Sequence, residues 1–103
     1  MNTAETPVLD CRMLIAQIGN QALFMLGAKD LTRSRDSLSF RVGRNSKGVN
    51  VIKITLAPDD TYSIEAVSIR KLKLTIKGEL EGVYADALRG ALETLTGMRT
   101  RLF

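Results

Sequence analysis

The chain has 103 residues, of which 45% are apolar and 25% charged, with a net charge of +4, a single cysteine and no histidine. This fits one folded domain with a single core. It excludes Ser-His and Cys-His nucleophile pairs, imidazole metal ligands, an intrachain disulfide and a cysteine-based zinc site within one chain.

Residues 1–9 contain Pro7 and no periodic pattern, and read as a loose arm without the basic and apolar regions of a secretory signal. No apolar run approaches the roughly 18 residues of a bilayer span, so a cytoplasmic protein with no membrane partner is expected. Asp10 is a suitable N-cap for a first helix carrying Leu14, Ile15 and Ile18 on one face, with Gly19-Asn20 at its end. Cys11 reads as a buried bystander thiol, since no histidine is present to activate it and only Arg12 adjoins it. The short apolar run "QALFMLGA", Gln21 to Ala28, fits a strand or a helical segment, and is read here as a strand. "KDLTRSRD" follows as a polar connection.

Four two-residue alternations come next: Leu38, Phe40 and Val42; Ile52, Ile54 and Leu56; Tyr62, Ile64 and Ala66; Leu72, Leu74 and Ile76. Each would place three apolar side chains on one sheet face. The links are short: "GRNSKG" at Gly43 to Gly48, "APDD" at Ala57 to Asp60, and a break near Arg70. Short links favour antiparallel neighbours in a meander. At the end, Tyr84, Ala87, Leu88, Ala91, Leu92 and Leu95 recur at helical spacing, with Asp86, Arg89 and Glu93 on the other face. Gly97 is a C-cap, and Arg99 beyond it faces the negative end of the helix dipole. The expectation is a single α+β domain over residues 1–103: an antiparallel meander of four to five strands, with an N-terminal and a C-terminal helix packed on one face.

Few residues suggest chemistry. "GRNSKG" has the glycine spacing of half a phosphate-binding loop, but Val49-Asn50 stands where Lys-Ser/Thr is required and a strand follows instead of a helix. Asp59, Asp60 and Glu65 cluster near a turn and could hold a cation, yet Pro58 followed by two aspartates is what a turn requires. Glu65 could pair across to Lys53 or Lys73. Glu79 and Glu81 read as a solvated strand end, and Met13, Met25 and Met98 as core filler. No catalytic residues, metal ligands or cofactors are expected, and the chain is read as not an enzyme.

Charge is unevenly distributed: residues 29–53 carry +5, 54–69 carry −3 and 70–77 carry +4. If Leu72, Leu74 and Ile76 face the core, then Lys71, Lys73 and Lys77 face outward. Arg41 and Lys53 share that register, and Arg44 and Lys47 lie on the adjoining hairpin tip. These seven residues form the candidate nucleic-acid-binding face, contacting phosphates with little sequence specificity. Base stacking is not expected, because Phe40 and Tyr62 take the inward register and tryptophan is absent. The structural alternative is the wet side of an ordinary sheet. Val51 and Val67, apolar and outward, together with Gly90 on the last helix, admit a protein partner or a homodimer instead.

"MLGAKDL", "SLSF", "VIKITLAPDDTYSIE" and "GVYADALRGALETLTGM" resemble a group of small uncharacterised proteins of bacteriophages, prophages and mobile elements, over about Gln17 to Met98. That resemblance implies a setting, with no catalytic residues to carry over. Small proteins of that setting act by binding nucleic acid or by blocking a host protein such as a defence factor. The function expected is therefore nucleic-acid binding through the basic face; the alternative is a protein-protein inhibitor or accessory factor.

Overall fold

In the computed structural model, residues 11–98 are described. The arm at 1–9, the Asp10 cap, the Cys11 side chain and Arg99 lie outside them. Two short helices, α1 (Cys11–Ile18) and α2 (Asn20–Leu26), precede five strands: β1 (Lys29–Arg33), β2 (Ser37–Arg41), β3 (Val51–Leu56), β4 (Tyr62–Arg70) and β5 (Lys73–Val83). A 3₁₀ turn at Ala85–Ala87 leads into α3 (Leu88–Thr96). The strands form one antiparallel sheet in sequence order, so the molecule is an α+β meander with its helices on one face.

The core follows the expected alternation over three strands. Leu38, Phe40, Ile52, Ile54, Tyr62, Ile64 and Ala66 are buried against Leu14, Ile18, Ala22, Leu26, Leu88 and Leu92 of the helices. Cross-strand registry stacks them in rows, Leu38, Ile54 and Ile64 in one and Phe40, Ile52 and Ala66 in the next. Full burial of each large side chain among them contributes about 1.5–3 kcal/mol, and this layer holds the fold together.

Three readings of the sequence are corrected. Residues 20–26 are helical: Gly19 (φ 94) and Gly27 (φ 67) bracket the segment with positive φ, and Ala22 and Leu26, one helical turn apart, are both buried. "KDLTR" within the polar connection is an edge strand, held by pairing with β2 and exposed throughout, so it carries no alternation to reveal it. The third concerns β5, whose expected core residues Leu72, Leu74 and Ile76 are all exposed. Three side chains expected inside are also exposed, Met13, Tyr84 and Ala87, whereas Met98 packs against the core.

Polar contacts fix the connections. Asn45 staples the loop after β2: its Nδ2 donates to the carbonyls of Gly43 (2.9 Å) and Val49 (2.8 Å), and its Oδ1 accepts from the amides of Lys47 (3.2 Å) and Val49 (3.0 Å). The loop is a hairpin connection, as its departure from the phosphate-loop pattern implied. At the "APDD" turn, Asp59 Oδ1 accepts from the Thr61 hydroxyl (2.6 Å) and amide (3.2 Å), which is the turn chemistry expected of an aspartate there. Arg89, placed by the sequence on the outer face of the last helix, is half-buried and donates from Nε to the Ile18 carbonyl (2.8 Å), closing the end of α1. Gly97 (φ 72) caps α3 in the left-handed conformation, as expected.

Candidate binding surfaces of the β4–β5 hairpin

The geometry of β5 turns on one residue. Ala66 pairs with Gly78 and Val67 with Ile76, so Lys77 is an extra residue on β5, a bulge. Side chains alternate sides along a strand, so everything beyond the extra residue faces opposite to what unbroken alternation predicts.

Directly paired residues share a face. Arg41, Val51, Val67 and Ile76 form one row, and Ser39, Lys53, Glu65 and Glu79 the next, both on the side away from the helices. Past Val51, where β3 begins, the hairpin continues without a β3 neighbour, pairing Ser68 with Thr75, Ile69 with Leu74 and Arg70 with Lys73. Alternation places Ile69 and Leu74 with Ile76 on the outward side, and Ser68, Thr75, Arg70 and Lys73 on the helix side. Asn50 secures the base of this projection, its amide donating to the Val67 carbonyl (2.8 Å) and its Oδ1 accepting from the Ile69 amide (2.7 Å).

The expected basic face is therefore divided. Arg41 and Lys53 are outward and exposed as expected, but Lys53 stands in register opposite Glu65, with Glu79 beyond. Lys73 is not across from Glu65: it pairs with Arg70 and lies on the other side of the sheet. Lys71 occupies the turn rather than a strand face, and Lys77 the bulge. Arg44 and Lys47 are exposed on the loop of residues 42–50. Val51 and the largely covered Val67 do lie outward, and they join the unexpected residues Ile69, Leu74 and Ile76 in one apolar patch.

The tip of the hairpin is a two-residue turn in which Lys71 (φ 49) and Leu72 (φ 69) are both left-handed. Leu72 is 102% exposed, Leu74 61% and Ile76 53%. On the helix side, Ser68, Arg70, Lys73, Thr75 and Lys77 line a cavity of about 260 Å³. Lys77 thus comes together with Lys73 and with Arg70, a residue outside the seven of the expected face. No carboxylate occurs between Glu65 and Glu79.

Elsewhere, an open groove of about 770 Å³ runs between the end of β5 and α3, beside Gly90 and the exposed Tyr84. Among the described residues no group of three or more Asp, Glu, Cys or His side chains could hold a metal ion. No described helix is long and apolar enough to cross a membrane. No family model, curated protein or solved structure matches the chain.

Proposed function

We propose that the chain is a non-enzymatic binding protein of phage or mobile-element type whose working part is the β4–β5 hairpin, docking on a protein partner through the outward apolar face. One observation carries this reading: Ile69, Leu74 and Ile76 extend an apolar patch begun by Val51 and Val67, with Leu72 bare at the tip. Exposed lysines are at home in water with or without a ligand, whereas apolar side chains gain about 25 cal/mol for each Å² that a partner covers. A contiguous apolar patch rimmed by charge is the usual mark of a protein interface. On the same side the patch is edged by Arg41, with Lys71 at the tip, so the matching surface is an apolar spot with carboxylates at its margin. Blocking a host protein by covering such a spot fits the setting that the resemblance implies.

A second reading, contact with nucleic-acid phosphates, is favoured by the gathering of Arg70, Lys73 and Lys77 around one cavity. The two readings use opposite sides of the hairpin and separate by mutation. The protein reading expects a partner that co-purifies after nuclease digestion, is lost with Leu74→Ser plus Ile76→Ser, and is kept with Lys73→Gln plus Lys77→Gln. The same partner retained by the serine variant would overturn it. A second copy of the chain as partner would appear in light scattering as a dimer that the serine variant returns to monomer.

A further inference from the structure

The helix side of the hairpin carries a feature that the apolar face does not explain. Arg70 and Lys73 are direct cross-strand partners, and Lys77 lines the same cavity. Like charges directly opposite each other destabilise a strand pair, and among the described residues no carboxylate lines the cavity to offset them. One row nearer the core, Ser68 pairs with Thr75. Ser68 is only 5% exposed, and among the described residues its hydroxyl meets no hydrogen-bond partner. A buried polar group with no partner among the described residues calls for an explanation, and here it borders three cations that no described carboxylate neutralises.

A single ligand chemistry answers both features. A tetrahedral oxyanion accepts hydrogen bonds from a hydroxyl, a guanidinium and two ammonium groups at once, and its charge removes the repulsion among them. Gly48 stands beside the cations with no side chain of its own to cover them: a Cβ there would lie 3.8 Å from Lys77 Cε and 3.9 Å from Arg70 Nη2. The loop bearing Gly48 also carries Arg44 and Lys47, and Lys71 adds a further cation at the tip.

We propose that Ser68, Arg70, Lys73, Thr75 and Lys77 form a phosphate site that takes a backbone phosphodiester of nucleic acid. The additional cations on the loop and tip favour a polyanion over a free phosphate, because a single phosphate would need only the cavity. The identity of the ligand rests on the nucleic-acid reading; the site itself does not depend on the apolar face.

The test is fluorescence anisotropy of a labelled single-stranded oligonucleotide over a range of salt, with inorganic phosphate titrated separately and followed by the amide resonances of Ser68 and Thr75. Lys73→Gln plus Lys77→Gln is expected to weaken oligonucleotide binding by about tenfold or more and to reduce the salt slope by about 1 for each cation removed. Ser68→Ala weakens binding with the slope unchanged, since it removes a hydrogen bond and no charge. Arg41→Gln plus Lys53→Gln, on the opposite face, and Leu74→Ser plus Ile76→Ser bind as the native chain does. Equal weakening by the Arg41 and Lys53 variant, or native affinity in the Lys73 and Lys77 variant with its thermal melt unchanged, would overturn the site. Inorganic phosphate shifting Ser68 and Thr75 without any oligonucleotide binding would overturn the nucleic-acid ligand.

Discussion

Asp59 is fully exposed, yet its carboxyl is held below the ordinary aspartate value, first by the Thr61 hydroxyl and then by the Thr61 amide. Both donors favour the charged form. A carboxyl depressed in the folded state adds stability above its unfolded pKa and loses it as the pH falls through the folded value, so the turn weakens on the acid side only. Thr61→Val removes the stronger donor and keeps the amide. The Asp59 carboxyl should then titrate closer to the ordinary value, as a carbon-detected NMR titration would read; an unmoved Asp59 would show that the hydroxyl does not set it. Asn45 works at the same scale in a different way. Its four contacts satisfy both ends of a loop that has no regular structure, and each buried group left unpaired would cost about 1–3 kcal/mol.

At the scale of elements, the hairpin tip carries backbone strain. Left-handed backbone costs about 1–2 kcal/mol for an ordinary residue, and Lys71 and Leu72 both adopt it where Asn-Gly is the preferred pair. Replacing Lys71-Leu72 with Asn-Gly should raise stability by about 1–2 kcal/mol, measured as a higher urea midpoint at constant slope. No gain would mean that the tip relaxes in solution. Strain of this kind concentrates where a segment meets a ligand, in keeping with the two surfaces assigned to the hairpin. The elements most legible in the sequence are those with one buried face, β2, β3 and the start of β4, where Phe40, Ile52 and Ile64 record the pleat directly. The helix over residues 20–26 is seven residues long and almost wholly apolar, too short for its period to show. The strand at Lys29 to Arg33 buries nothing, so only its pairing defines it. In β5 the residue types announce a two-sided strand correctly. Its sidedness is illegible, because alternation is blind to an inserted residue: Leu72, Leu74 and Ile76 are spaced like core residues, and only the pairing of Val67 with Ile76 shows where they point.

On the scale of the molecule, the core and the proposed binding surfaces occupy different ends. The helices cover the rows from Leu38 to Leu80 and from Phe40 to Gly78, whereas Ser68 to Thr75 extend past Val51, where β3 begins. Regions with few buried contacts open without global unfolding. Native-state hydrogen exchange should therefore show the amides of Ile52, Ile54 and Ile64 exchanging at the global limit and those beyond Ile69 exchanging faster, with Ile69 slowed by its bond to Asn50. Uniform protection along both strands would mean that the hairpin is part of the core. The bulge at Lys77 has a further consequence, one of arithmetic, for it works as a parity bit. Were Lys77 to pair with Val67 instead, every pair beyond would slip by one, Ile76 meeting Ser68 and Leu74 meeting Arg70. The turn would lengthen from two residues to three and take in Lys73, the leucine and isoleucine would rotate toward the helices, and Thr75 would turn outward. Deleting Lys77 leaves Gly78 and Ile76 adjacent and already on opposite sides, which fixes the parity now in force. One unpaired residue thus separates two ways of displaying the same side chains, and a slip of register by one would invert the two faces of the hairpin with no change of sequence.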